Sequence, residues 1–598
     1  MYIPPRSRLL TGQVCQSYFV RSTRDVESHK LMQVGRQGIR GVLVCVLFLP
    51  TDQFLPSAFL SPSPRMAVRV LMITAALLSA AIVTAALPSP AFVTVAVHLR
   101  RQHSEEAIEA AFVARSAPGT SSFRHHLTVS ALTQLVGAAE GTVSIAQQYL
   151  RLRGVTDCHV HVTRDVLECH VAQHAAPSVY ELLLSARPSN GAPRWAAPDA
   201  FSQAVSARAI IVRSPIVNKE DHVDARRRRL TEPGMLQTPY TIRQRYGVPA
   251  VPPSTPLPFA QGVGEFEGEF FTTSDMSTFT ETYGLPNSTV RVIGPNVAGG
   301  DNIEGTLDLQ YMLAMTGAAN YTTWWLAQSG NNNDPGNIDF SAWCNKVIGI
   351  PQFPAVVSIS WGMGDYRYGW QPAVMVADND AFRKLGLLGV SVLVASGDSG
   401  PGVRGLSCSG KFIPSWPASS PYVTSVGATY STEQDGHETA VDWSGGGFSD
   451  TFAMPQWQRR AAEEYFRSAS KALPIASRYN ASGRGYPDVA ALGTNFQVFV
   501  GGQWTPVSGT SCASPTFAGI VSTINAERLN TGLATLGFLN PVLYQSERVG
   551  FDIESGASVD TDCFGLPVAG FPAWRGWDAV TGWGTPDYSV LRSVLLRD

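Results

Sequence analysis

The sequence predicts an α/β protein built on a mostly parallel sheet with helices on both faces, preceded by a smaller α+β segment. Three observations predict it. From about Met235 to Asp598, apolar runs such as AVVSISWG (355–362) and VSVLVASGDSG (390–400) alternate with helix-like stretches. Strands apolar on both sides belong in a sheet buried on both faces. Residues 92–215 instead mix short β-like runs (FVTVAVHL, DCHVHVTRDVLECHV) with helical ones (SALTQLVGA, SVYELLLSA). Between them lies IVNKEDHVDARRRRLTEPG (216–234), which has no apolar periodicity and carries Arg226 to Arg229. Such a basic stretch reads as a protease-sensitive linker.

Composition agrees. The chain has 598 residues, 44% hydrophobic and 15% charged, so more than one domain and a large core are expected. A net charge of −2 with no basic stripe excludes nucleic acid as the expected partner. The 8 cysteines show no CxxC repeat or Cys/His spacing that suggests zinc.

In chain order, the first structured feature is MAVRVLMITAALLSAAIVTAALPSPA (66–91). A Met, a positive Arg69, an apolar run over 70–87 and small residues form the pattern of a signal peptide. Met66 then reads as the true start and 1–65 as an over-extended leader. The alternative is an uncleaved membrane anchor at 70–87. Either way the remainder enters the secretory path, where disulfides form. Cys158 and Cys169 flank an alternating segment and there could staple a hairpin. Asn287, Asn320 and Asn480 head glycosylation triplets. The expected division is therefore leader 1–65, signal 66–91, prodomain 92–215, linker 216–234 and catalytic domain 235–598.

The chemistry centres on SGTSCASP (508–515). In subtilisin-type peptidases G-T-S-x-A marks a nucleophile at a helix start, which makes Ser511 the candidate. A serine normally needs a histidine to take its proton. After Met235 the only histidine is His437, in the polar stretch STEQDGHETAVDWSGGG, which reads as a solvated loop. Another base is required. In DNIEGTLDLQYMLAMTGA, Ile303, Leu307, Tyr311 and Ala314 have helical spacing, and Glu304 and Asp308 project together at the edge of the buried face. A Glu bonded to the serine acts as general base, and the Asp holds and polarises it. Two close carboxylates do not easily both ionise. Asp398, in a glycine turn after a buried strand, sits where open α/β sheets carry their sites. Kept neutral, it would donate to an oxyanion. An ordinary turn aspartate is the competing reading.

Together with SWPASSPYVTSVGAT, SGGGFS, NASGRGYPDVAAL, LGFLNPVLYQ and GWDAVTGWGTPDY, these motifs resemble the sedolisin family of serine-carboxyl peptidases from about residue 92 to the end. The resemblance implies a doubly wound, subtilisin-like fold, acid activity, a zymogen and one calcium ion (Ca2+). It makes Ser511 the nucleophile, Glu304 the base, Asp308 its partner and Asp398 the oxyanion acid. It implies calcium ligands at Asp552, the Ile553, Trp574 and Gly576 carbonyls, and Asp578. It implies a Cys408–Cys563 disulfide, leaving Cys344 and Cys512 as thiols, with Cys512 standing where the family usually has alanine. Ser444, Gly445, Gly446 and Gly447 read as an exposed edge for an extended polypeptide substrate, and Asp365 as a further acid of the cleft.

The expected product is an acid-active peptidase, inhibited by its own prodomain, that releases tripeptides from free N-termini in a lysosome-like compartment, or after secretion. An endopeptidase of the same family is the alternative. A membrane-anchored, inactive binding glycoprotein is the alternative of another class. Activation by a basic-specific cut at Arg226–Arg229 and acid release of the prodomain are both open.

Overall fold

The computed structural model describes residues 92–155, 157–172, 205–213, 234–249, 260–286, 290–299, 302–316, 322–328, 338–365, 372–402, 410–431, 437–561 and 564–597. The signal or anchor, the Arg226–Arg229 block, Cys408, Cys563, Asn287 and Asn320 lie outside the described residues.

The N-terminal domain is a four-stranded sheet, β1 (Phe92–Leu99), β2 (Cys158–Val160), β3 (Val166–Ala172) and β4 (Val205–Arg213), in the order β2-β3-β1-β4. The helices α1 (Glu105–Ser116), α2 (Val129–Val136) and α3 (Glu140–Arg151) complete it. Ser104 and Thr128 accept backbone N–H bonds at the starts of α1 and α2, as N-cap residues do. β2 and β3 are antiparallel with Cys158 opposite Cys169, and the two form the expected disulfide, Cα–Cα 4.1 Å.

The larger domain carries an eight-stranded sheet. Its strands are β5 (Ala260–Glu265), β6 (Val290–Ile293), β7 (Thr322–Ala327), β8 (Val356–Ile359), β9 (Ser391–Ala395), β10 (Thr424–Tyr430), β11 (Thr439–Ala440) and β12 (Val489–Leu492). The order is β11-β10-β9-β8-β5-β7-β6, with β12 also beside β10. All pairings are parallel except β10 with β11. On one face α4 (Ile303–Thr316) and α6 (Thr510–Asn530) share a core that includes Leu307, Tyr311, Phe517 and Ile520. On the other, α5 (Pro372–Leu387) and the helix Phe340–Ile348 share a second core. Ile108 and Phe112 of α1 and Leu132 and Val136 of α2 belong to that second core, so the two domains meet over α5.

Two close approaches explain glycines. A Cβ on Gly519 of α6 would lie 2.6 Å from Met315 Cβ and 2.7 Å from Met312 O, so glycine lets α6 lie flush on α4. A Cβ on Gly386 of α5 would lie 2.7 Å from Phe112 Cε2. At the same seam Phe112 packs edge-on to Tyr422, centroids 4.9 Å apart, and against Phe538 at 5.3 Å.

One expectation is corrected. α4 was expected to hold Glu304 and Asp308 at the edge of a buried face, but Glu304 through Thr316 are all buried. The helix is wrapped on every side: Gly305 turns against the Trp325 ring, where a Cβ would be 2.5 Å from Cη2.

Among the described residues no helix is long and apolar enough to cross a membrane.

Candidate active site

Ser511 stands in the first turn of α6, 9% exposed. The partial positive charge of a helix N-terminus therefore lies beside its hydroxyl. Cys512 turns the other way, fully buried, with Sγ 3.6 Å from Val507 O.

Asp398 lies in the turn that leaves β9, between Gly397 and Gly400, whose φ values of 108° and 67° are the left-handed region where glycine fits. Its Oδ1 accepts bonds from the Thr510 N–H and the Thr510 hydroxyl, both at 2.7 Å. The Gly397 N–H donates in turn to Thr510 Oγ1 at 3.1 Å. A Cβ on Gly509 would fall 2.8 Å from Asp398 Oδ2. This aspartate therefore does more than cap its own turn: it is fastened to the residue just before Ser511.

The acid pair is tied to the same helix by another route. Asp308 Oδ1 accepts from the Ser360 hydroxyl at 2.9 Å, just past the end of β8. Ser358, two residues earlier, shares a hydroxyl–hydroxyl bond of 2.8 Å with Ser514, one helical turn beyond Ser511. The end of β8 thus ties the acid helix to the serine helix.

Two acids that the sequence reading missed complete the group. Glu265, at the end of β5, accepts from Trp361 Nε1 at 3.3 Å, and Glu269 accepts from the Gly305 N–H at 3.3 Å. Burial raises both Asp308 and Glu265 well above the ordinary carboxylate range. Their neighbours push the same way: Glu304 and Glu269 act on Asp308, and Asp308, Glu269 and Glu304 on Glu265. Glu265, Asp308 and Asp398 thus gather around the carboxyl ends of parallel strands, where sites of open α/β sheets lie. His437, the only histidine after Met235, is exposed in the loop before β11.

Residues 80–181 match the Pro-kumamolisin activation domain and residues 294–536 the Subtilase family. Tripeptidyl-peptidase 1 of Canis lupus familiaris is 35% identical over 526 residues, 83% of this chain and 90% of that protein. The Homo sapiens protein is 34% identical over 523 residues, with the same coverage. The chain belongs to the sedolisin family. It is a serine-type peptidase of subtilisin-like fold, made as a zymogen with an inhibitory prodomain. A solved Pseudomonas sedolisin (serine-carboxyl proteinase) is 23% identical, with a TM-score of 0.46 over 60% of this chain and 98% of that one.

The two segments expected to hold calcium also meet. Asp552 Oδ2 accepts from the Gly576 N–H at 2.7 Å. Asp578 is fully buried and accepts from the Trp574, Val580 and Thr581 N–H groups and the Thr581 hydroxyl at 2.7–2.9 Å. Burial raises Asp578 to about 7. Burial also raises Asp552, with Glu554 adding to it. A buried Asp578 and a more exposed Asp552, with only backbone oxygens among the other expected ligands, make a hard, all-oxygen donor set that fits calcium.

The cleft residues are placed differently from expectation. Ser444, Gly445, Gly446 and Gly447 are buried rather than exposed. The Gly445 N–H bonds Gly397 O at 2.7 Å, and a Cβ on Gly446 would fall on Ala579 O. Glycine there lets the backbone pass under the Asp398 turn. Asp365 is buried and accepts from the Thr451 hydroxyl at 2.8 Å, beside the short ladder of Met363–Gly364 with Ser415–Trp416. Asn480 Nδ2 donates to Ser449 O at 2.9 Å, a bond that a glycan there would displace.

Proposed function

We propose that this sedolisin is an acid-active peptidase that releases tripeptides from free N-termini through an acyl-enzyme on Ser511. The observation that carries the reading is a buried group of carboxylates tied to the serine helix, in a domain whose one histidine is an exposed loop residue.

In this reading Ser511 Oγ attacks the peptide carbonyl carbon and its proton passes to Glu304. Asp308, neutral at acid pH, donates to Glu304 and holds it. The carbonyl oxygen becomes an oxyanion beside the Ser511 helix end and accepts a hydrogen bond from a protonated Asp398. The C–N bond then breaks, and the leaving amine takes the proton from Glu304. Water, deprotonated by Glu304, attacks the ester carbonyl, and Ser511 recovers its proton as the tripeptide acid leaves. A carboxyl base and a neutral Asp398 coexist best at low pH, which supports an acidic, lysosome-like compartment reached through the secretory path. The Cys158–Cys169 disulfide supports that path too.

Asp552, Asp578 and the carbonyls of Ile553, Trp574 and Gly576 would hold one calcium ion, whose charge would offset the buried Asp578 and the more exposed Asp552. Chelation should then lower the thermal midpoint and added calcium restore it. No change would remove the ion from the account.

The main test is a pH profile of acid-matured protein on a tripeptide fluorophore with a free amine, beside its N-blocked form and Ser511→Ala. Acid-optimal cleavage of the free-amine substrate alone, lost in the variant, is expected. Equal cleavage of the blocked form would make it an endopeptidase. Silence on both would favour a binding protein.

A further inference from the structure

The zinc spacing that the sequence lacks is supplied by the fold. In the β2–β3 hairpin Cys158 lies opposite Cys169 and His159 opposite Glu168, and the His170 N–H bonds Asp157 O at 2.9 Å. Side chains alternate across a strand. The disulfide therefore faces the domain core, where both cysteines pack, and Asp157, His159 and His170 share the opposite face. Asp157 Oδ1 lies 3.3 Å from His159 Nε2, and Oδ2 lies 3.4 Å from His170 Nδ1. One ligand atom from each of the three lies within 4.8 Å of the others. His170 Nδ1 is buried yet makes no hydrogen bond.

We propose that this face of the prodomain binds one zinc ion through Asp157, His159 and His170, with water in the remaining position. Zn–N and Zn–O bonds of about 2.0–2.1 Å in tetrahedral geometry set ligand atoms about 3.4 Å apart. Asp157 already meets each imidazole at about that length, through Oδ1 for His159 and Oδ2 for His170, and rotation of the exposed His159 and of the carboxylate would bring one oxygen and both nitrogens to that spacing. Two imidazoles with one carboxylate suit zinc better than calcium or magnesium, which prefer oxygen alone. The disulfide holds the two strands in register, so the backbone that carries the ligands is fixed before the metal arrives. β2 is a three-residue edge strand, and zinc would give it a second tie to β3. The site lies in the segment that maturation removes, so the metal acts on the zymogen.

The test titrates purified, disulfide-intact zymogen at neutral pH with Zn2+ by calorimetry and with Co2+ by visible absorption. The parent should bind one equivalent and show tetrahedral cobalt bands. His159→Ala/His170→Ala should bind about tenfold or more weakly and lose the bands, with unchanged circular dichroism and no free thiol gained at the hairpin. His161→Ala, outside the triad, should bind as the parent does. Absence of saturable binding by the parent, or equal binding by the double variant, would overturn the proposal.

Discussion

Two buried groups of charged side chains in this molecule respond to pH in opposite ways. The crevice group, Glu265, Glu269, Glu304 and Asp308, is all acid. Burial and mutual repulsion raise Asp308 and Glu265. The seam group between the domains is mixed. Arg101 binds Asp165 at 2.6 Å within the prodomain and Asp380 of α5 at 2.9 Å. Lys384 of α5 returns to Asp165 at 2.7 Å, and Arg383 to Glu105 at 2.8 Å. Burial opposes ionisation of Asp165 and Asp380 here as well, but the cations outweigh it and hold both below the ordinary carboxylate range. One kind of residue is thus set to keep its proton beside the serine helix and to lose it where it holds domains together.

The signs follow. Asp308 and Glu265 bind protons more tightly folded than unfolded. Their contribution is greatest at low pH and is lost as pH rises from the ordinary value of about 4 toward the raised folded values. Asp165 and Asp380 do the reverse: their contribution is present above about 4 and is lost only as pH falls below it. Mild acid therefore strengthens the crevice and leaves the ion pairs intact.

An acid trigger at the seam must come from other groups, and two histidines fit. Burial lowers His98 to about 3, within the field of Asp165, Lys384, Arg101 and Asp380. His126 is wedged against Gly389 and Gly537, with Nε2 donating to Thr535 O at 2.7 Å. Burial lowers it too, with Arg124, Arg528 and Arg115 adding to the effect. A histidine with a lowered folded value stabilises docking above about 6.5 and stops doing so as pH falls through that value toward the folded one.

The largest expected effect would sharpen the contrast at the crevice. Asp308→Asn removes the proton-holding partner without changing shape, and kcat should fall on the order of 10²–10⁴-fold. The same variant should be more stable than the parent at pH 7, read as a higher thermal midpoint. A lower midpoint would break the claim that this acid is a stability burden when ionised. Next, Asp380→Ala in the zymogen leaves Arg101 and Arg383 without a central anion, at a cost of about 3–5 kcal/mol in denaturant titration. The matured variant should keep its kcat. Third, prodomain release followed against pH should lose about 1.4 kcal/mol of docking per unit below about 6.5 for each buried histidine. His126→Gln should flatten that slope, and an unchanged slope would leave the trigger to His98. The smallest effect compares two glycines. Gly519→Ala should cost about 1–3 kcal/mol in zymogen and mature enzyme alike, and Gly386→Ala a similar amount in the zymogen alone.

The serine's place at a helix start and the Asp398 turn were legible because each rests on local sequence: the G-T-S-x-A pattern, and glycines at left-handed positions. The disulfide was legible because alternation set both cysteines on one side of a hairpin. The acids at 265 and 269 were not. GEFEGEF shows no period that separates a buried strand-end glutamate from a solvated one, and only the approach of α4 and Trp361 buries them. The full wrapping of α4 was hidden for a similar reason: Gly305 reads as a weak helix residue until the Trp325 ring is seen against it. The cluster of Asp157, His159 and His170 was missed because only the strand register brings His170 beside the other two.

The aromatic seam over α5 has a last consequence. While the zymogen is whole, Phe112 covers Gly386, Tyr422 and Phe538. Maturation takes that cover away and leaves an apolar patch on the finished enzyme, remote in purpose from the serine. Such a patch governs how the protein behaves toward its own copies and toward surfaces. Prodomain removal should therefore raise the enzyme's tendency to associate, through a surface that the zymogen keeps covered.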